Sequence, residues 1–230
     1  MKIDIWSDIR CPFCYIGKRK FELALDQFEH KDKVEVEWHS FELDPLLQTR
    51  LDVDAYDYLA DRKGLNREWS IQLHDQVTQS AAEVGLVYNF DKAITANSFD
   101  AHRLIQFAKT HNLGDAAEEA LFKAYFTEGV NISDHSELTA IGVGIGLDGK
   151  EVETILSTEA YTEDVKKDGI QAQKLGIRGV PFFLINDHVA VSGAQATEVF
   201  LDSLKKAWTQ YETSTNADNA DGMCSTEGNC

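Results

Sequence analysis

From residue 52 to residue 175 the chain contains no proline, and this absence constrains the fold more than any other feature. Proline removes a backbone donor and clashes with the preceding turn, so a run of this length without it can form one helix after another. Apolar residues recur there at helical spacing, as in Leu104, Ile105 and Ala108 or Leu121, Phe122 and Tyr125, which gathers them on single helix faces. Boundaries are legible inside the block. Asn97 with Asp100, and Asp134 with Glu137, have the pattern of N-terminal caps, and Gly114, Gly129 and Gly176 are expected at helix ends.

The flanking segments follow another period. Ile3, Ile5 and Trp6 open a strand that reaches Ser7-Asp8, and after Cys11-Pro12 the residues Phe21, Leu25 and Phe28 are spaced as in a helix. Val34, Val36 and Trp38 predict a second strand within residues 34–43, ending before Asp44-Pro45. Downstream, Phe182-Phe183-Leu184-Ile185 and Val189-Ala190-Val191 read as a hairpin turning at Asn186-Asp187. Val199, Leu201, Leu204 and Trp208 mark a closing helix over residues 196–211. The order β-α-β, helical block, β-β-α predicts an α/β fold. Its core is discontinuous, residues 1–50 and 176–212, with a large all-helical insertion over residues 51–175. Residues 213–222 have no apolar anchor and are expected to be a linker within a polar tail, residues 213–230, that carries Cys224 and Cys230.

Charge narrows the function. With 22 basic and 39 acidic residues the net charge is −17, which repels polyphosphate backbones and anionic lipid, so neither nucleic acid nor a membrane is an expected partner. No segment approaches the length and apolarity of a membrane span. Met1 leads straight into strand-like residues without a basic and apolar leader, so a cytoplasmic location is expected. Four cysteines placed as one pair near each end do not form a secreted disulfide framework.

Cys11-Pro12-Phe13-Cys14 falls where a strand ends and a helix begins, where unpaired N–H groups and the helix dipole favour a thiolate. Pro12 suits the first helical position, since its missing N–H would have had no partner there. The two-residue spacing lets the second sulfur return on a mixed disulfide and release its partner. Cys11 is therefore expected to be accessible and Cys14 shielded. A zinc site needs two further ligands, and the other cysteines stand far away at 224 and 230; covalent haem needs His at position 15, which is Tyr. No metal is expected. The glycines at 142, 144 and 146 lack the strand-turn-helix setting of a dinucleotide site. Asp8 and Lys18 are expected to be solvated charges, and Phe13, Tyr15 and Trp38 an apolar rim; His39 receives no role.

The strand followed by C-P-F-C-Y-I-G-K (residues 11–18), with F-E-L-D-P (41–45), N-S-F-D-A-H-R-L (97–104) and G-V-P-F-F (179–183), resembles the DsbA-like thioredoxin superfamily, and within it the FrnE-like branch. The resemblance implies a thioredoxin-like core interrupted by a helical domain, and a thiol-disulfide oxidoreductase or isomerase. It further implies that Cys11 is the nucleophile, Cys14 the resolving thiol and Pro181 a cis-proline facing them, with the Val180 backbone free to bond an extended substrate. Phe13, His102 and Asn97 are candidates for substrate contact; the plainer reading of His102 is a half-exposed helix face. Cys224 and Cys230 are candidates for an auxiliary redox pair, since about ten flexible residues span roughly 15–20 Å. The expected partners are protein or small-molecule thiols and disulfides, acting on a monomer or homodimer, with no resident cofactor and glutathione as a candidate co-substrate. The alternative is a glutathione-dependent isomerase or transferase, resembling 2-hydroxychromene-2-carboxylate isomerases and kappa-class glutathione transferases in layout and in residues 97–104. Those generally carry a single serine or cysteine at the activating position, so a cysteine pair favours exchange.

Overall fold

A computed structural model describes the backbone of residues 1–221 and the side chains of residues 1–213. Cys224 and Cys230 lie outside the described residues. Strand β1 (Lys2–Ser7), helix α1 (Pro12–Asp26) and strand β2 (Glu35–Ser40) make the expected β-α-β unit. The insertion runs through β3 (Arg50–Asp54), α2 (Ala55–Lys63), α3 (Arg67–Ala82), β4 (Ile94–Thr95), α4 (Phe99–Lys109), α5 (Gly114–Lys123), a π-helical turn (Ala124–Glu128), α6 (His135–Gly144), α7 (Gly149–Ser157) and α8 (Thr162–Lys174). The chain closes with β5 (Phe182–Ile185), β6 (Val189–Ser192) and α9 (Thr197–Asp221).

The four core strands lie in the order β2-β1-β5-β6, with β1 and β2 parallel and the other pairs antiparallel. Strand alternation sorts the side chains into two layers. Ile3 and Ile5 of β1 and Phe183 and Ile185 of β5 pack with Phe21 of α1 and with Phe200 and Leu204 of α9. Trp6 turns to the opposite face against Ala172 of α8, with Phe182 and Leu184 beside it. The hairpin turns at Asn186 and Asp187, both at positive φ of 50° and 60°, the conformation that a two-residue turn between twisted strands requires.

Several boundaries differ from expectation. The insertion is not wholly helical: β3 and β4 form a two-stranded antiparallel ladder at its base. Gly114 opens α5 instead of ending a helix. Ser98, not Asn97, directly precedes α4, while Asn97 Oδ1 accepts a hydrogen bond from Phe99 N at 2.7 Å. The capping role of Asp134 stands, as its carboxylate accepts from the N–H groups of Ser136 and Glu137. Gly129 and Gly176 follow helix ends at positive φ. Helix α9 takes in the stretch expected to be a linker, since no glycine or proline occurs between its start and Gly222.

Helix α4 packs against α5, α6, α7 and α8. Every residue from Ala101 to Ala108 is buried, so the polar side chains on it must find partners inside. Arg103 does so by donating to Asp100 Oδ1 at 2.7 Å, to Ala160 O at 2.8 Å and to the carbonyls of Ile155 and Thr158. Among the described residues no helix is long and apolar enough to cross a membrane.

Candidate active site

Cys11 is the residue before α1, with extended backbone (φ −90°, ψ 110°), and Pro12 opens the helix. No acidic residue occupies the first turn, so nothing there opposes negative charge on a sulfur at the helix start. The approach to the helix is fixed by Cys11 N donating to Asp8 O at 2.9 Å. Both cysteines stand as thiols. Facing them, the Val180–Pro181 bond is cis, and Cys11 Sγ lies 3.4 Å from Val180 O. The loop is tied to β6 by Gly193 N donating to Pro181 O at 2.8 Å.

Gly17, one turn into α1, is what allows this approach. A Cβ added there would meet Pro181 Cγ at 2.9 Å and Ala194 Cβ at 3.6 Å, which a ring locked by its neighbours cannot readily relieve. Gly17→Ala is therefore expected to cost about 1–3 kcal/mol of stability by overpacking and to slow exchange by displacing the loop. Urea denaturation of the two proteins measures the first effect; equal midpoints would contradict the contact.

By whole-residue area Cys11 is buried as well as Cys14, at 4% and 1% exposed, so the expectation of an accessible Cys11 holds only in that it borders a cavity and Cys14 does not. Burial pushes the Cys14 thiol well up, and the neighbouring Cys11 pushes it the same way, against smaller opposing hydrogen bonds from Asp8 backbone and the Ser7 side chain.

Beneath the pair lies a set of charges that the sequence did not announce. Asp8 is fully buried, not solvated; its carboxylate accepts from Arg10 N at 3.1 Å, Leu43 N at 2.8 Å and Ser98 Oγ at 2.9 Å. Burial alone would raise it, but His102 and Arg10 together with these bonds hold it below the usual carboxylate range. His102 is also fully buried, so neither of its sequence-based readings, substrate contact or half-exposed face, applies. Its Nε2 sits 3.6 Å from Asp8 Oδ1, longer than a hydrogen bond, and both ring nitrogens lack a hydrogen-bond partner; charge attraction holds the pair. Against the lowering effect of burial, Asp8 and then Glu118 raise His102 above its ordinary value. Burial pushes Glu118 up to about 8 despite His102 and Lys18. Ser7 Oγ stands 3.5 Å from Glu118 Oε2, at the outer limit of a hydrogen bond, and links Glu118 to Cys14.

Lys18 too is buried rather than solvated, its ammonium paired with Glu22, Asp115 and Glu119, which pins α1 to α5. Of the expected apolar rim only Phe13 is exposed, at 45%. Tyr15 stacks on Phe122 and Trp38 donates to Asp115 Oδ1, so both are interior residues. Asn97 binds Leu47 O through Nδ2 and accepts from Phe99 N, which makes it a tie for the 41–49 loop and leaves its side chain no role at the thiols.

A cavity of about 460 Å³ opens beside Cys11 between α1 and the α2–α3 pair. Its walls include Pro12, Phe13, Leu59, Val77, Phe90 and Phe126, and its polar side chains include Arg10, Arg62, Lys63, His74 and Thr95. Arg10 lies over the Tyr58 ring at 4.9 Å, with its Nε buried and unpartnered. His74 Nδ1 is 2.7 Å from Ser70 O; a carbonyl only accepts, so Nδ1 carries the proton and Nε2 is left as an acceptor. Burial lowers His74 below its ordinary value and keeps it neutral.

On the far side of the sheet, His39 stacks on Trp6 and bridges Asp4 Oδ1 at 2.6 Å and Asp168 Oδ1 at 2.9 Å. Asp4, Glu37 and His39 offer ligand atoms within 4.8 Å of one another, but Lys2 already pairs with both carboxylates, which gives the cluster a structural explanation.

Comparison with known proteins bears on the family and the fold. The family model described as a DSBA-like thioredoxin domain matches residues 2–205. An uncharacterized protein of Bacillus subtilis, YwbO, is 32% identical over 200 residues, covering 86% of this chain and 92% of that protein. The crystal structure of a probable DsbA oxidoreductase from Streptomyces coelicolor is 38% identical, with a TM-score of 0.86 over 91% of this chain and 90% of that one. The cytosolic disulfide reductase DsbM of Pseudomonas aeruginosa, solved with glutathione, shares the fold at 17% identity, with a TM-score of 0.62 over 94% of this chain and all of that one.

Proposed function

The chain belongs to the DsbA-like thioredoxin domain family, and from that premise we propose that it exchanges dithiols and disulfides through Cys11 and Cys14. The observation that carries this reading is the placement of Cys11 at the start of α1, 3.4 Å from the carbonyl of Val180 before the cis-proline. In the first step the Cys11 thiolate attacks a substrate disulfide, forming a mixed disulfide and expelling one substrate thiolate. In the second, Cys14 displaces the other substrate sulfur and closes the Cys11–Cys14 disulfide. Burial disfavours the Cys14 thiolate, so the second step needs a proton acceptor. Ser7 and Glu118 are placed to act as one, and a carboxyl pushed up to about 8 is partly ionised near neutral pH and suited to taking that proton.

No resident cofactor enters the scheme. Glutathione, present in the DsbM structure, is a candidate reductant for the Cys11–Cys14 disulfide. The cysteine pair at positions 11 and 14 favours this chemistry over glutathione-dependent isomerisation, because a resolving thiol intercepts any glutathione held on Cys11. Cys224 and Cys230 are proposed as an auxiliary pair on their sequence placement alone; a Cys11 cross-link to either, mapped in Cys14→Ser, is the sign of it.

Alkylation separates the roles. Limiting iodoacetamide at pH 7, followed by peptide mapping of the reduced protein, should label Cys11 well ahead of Cys14. Equal labelling, or labelling of Cys14 first, would reverse the assignment.

A further inference from the structure

The cavity beside Cys11 is lined mostly by apolar side chains, and three cations border it: Arg62 is paired with Asp44, Lys63 is exposed, and Arg10 is the one adjacent to Cys11 in the chain. Arg10 Nε is buried without a partner, and among the described residues the guanidinium makes no ion pair. Asp8 meets Arg10 through the backbone N–H, at 3.1 Å, and the guanidinium itself lies over the Tyr58 ring at 4.9 Å, with the Tyr125 phenol also acting on its charge. In a chain of net charge −17, a guanidinium facing an apolar cavity is selective for an anion that brings its own apolar body. The volume, about 460 Å³, lies within the range of roughly 300–1,000 Å³ that holds single small molecules, and it suits a ring system with its substituents. Phe90 and Phe126 supply apolar wall for such a ring, and His74 Nε2 supplies one acceptor.

We propose that this cavity is a subsite for a small aromatic carboxylate joined to a disulfide sulfur, with the carboxylate on Arg10 and the ring between α1 and α3. The inference rests on the exchange reading above and names its substrate class. Cys11 thiolate attacks the near sulfur of R–S–S–R and R–S⁻ leaves; Cys14 then displaces the second R–S⁻ and forms the Cys11–Cys14 disulfide. The substrate disulfide gains two electrons, the dithiol loses two, the Cys11 proton is already in solvent, and the Cys14 proton passes through Ser7 to Glu118.

Stopped-flow reaction of the reduced full chain with 5,5′-dithiobis(2-nitrobenzoate), an aromatic dicarboxylate, and with uncharged 2,2′-dithiodipyridine tests this. Each rate is divided by that of free cysteine, which removes intrinsic reactivity. The nitrobenzoate rate should saturate with concentration, and its normalised preference over the pyridine reagent should be about tenfold or more, the scale of one charge-assisted contact. The negative chain would otherwise push that ratio below one. Arg10→Gln should bring the preference to the level of cysteine or lower. Leu73→Trp, which fills the cavity from α3 without touching the charge, should abolish saturation. A wild-type ratio no greater than that of cysteine, or one that both substitutions leave in place, would overturn the subsite. Failure of Cys11 to react with either reagent would bring down the exchange reading beneath it.

Discussion

Cys11→Ser should lower dithiol–disulfide exchange by roughly 10³-fold or more, to near the uncatalysed rate, because a serine hydroxyl is neither ionised at neutral pH nor able to form the mixed disulfide. The loss should appear with no change in fold: Cys11 is at the helix start, its side chain makes one 3.4 Å contact to Val180 O, and oxygen is smaller than sulfur. Cys14→Ser should behave differently. It keeps the attacking thiol, so a first substrate is consumed at close to the normal rate and turnover then stops. Initial rates of reduction of a fluorogenic disulfide, read as a burst and as a steady state, separate the two variants. A Cys11→Ser protein with half or more of the wild-type activity would remove this thiol from the mechanism.

The second large effect concerns Glu118. Its native value, about 8, lies above the ordinary 4.5, so the native protein keeps a proton that the unfolded chain gives up. The stability from this group is fully present below about pH 4.5 and is lost as pH rises towards about 8. His102, raised above 6.5, adds stability that is present below 6.5 and lost as pH rises through its native value. Asp8, lowered below 3.8, contributes stability present above 3.8 and lost as pH falls through its native value. Glu118→Gln keeps the shape and cannot ionise. It should therefore be more stable than wild type by about 3 kcal/mol at pH 7, a difference that disappears near pH 4.5. The same substitution should slow resolution of the mixed disulfide while leaving the first attack nearly unchanged, because only Cys14 is linked to Glu118 through Ser7. Chemical denaturation from pH 4.5 to 8 supplies the test, and parallel stability curves for the two proteins would contradict the assignment.

These expectations come from residues of unequal legibility. The strand-helix junction at Cys11, the hairpin around Asn186 and Asp187 and the cap at Asp134 are local features, fixed by residues within a few positions of one another, and the chain displays them directly. The insertion is readable as helical because its period is 3.6, but the short β3–β4 ladder depends on partners 40 and 45 residues apart and has no local signal. Asp8, His102 and Glu118 come from the end of β1, from α4 and from α5, and only packing brings them together. One signal was available: α4 is apolar at 101, 104, 105, 107 and 108, so little of its circumference is left for solvent, and His102, Arg103 and Gln106 on such a helix are buried and must be paired. Arg10 and His74 were invisible for the same reason, since the cavity that gives them a role forms between α1 and α3. Tyr15 and Trp38 turn inward because their partners, Phe122 and Asp115, come from α5 about a hundred residues and about eighty residues further along the chain.

The central claim is that Cys11 attacks and Cys14 resolves, and it is tested most directly by trapping. Cys14→Ser and Cys11→Ser are each mixed with a disulfide-bonded peptide, quenched with acid and analysed by intact mass under non-reducing conditions. The account predicts a stable adduct of one peptide sulfur on Cys14→Ser, mapped to Cys11 and reversed by dithiothreitol, and no adduct on Cys11→Ser. An adduct on Cys14 of Cys11→Ser, with none on Cys11 of Cys14→Ser, would contradict it.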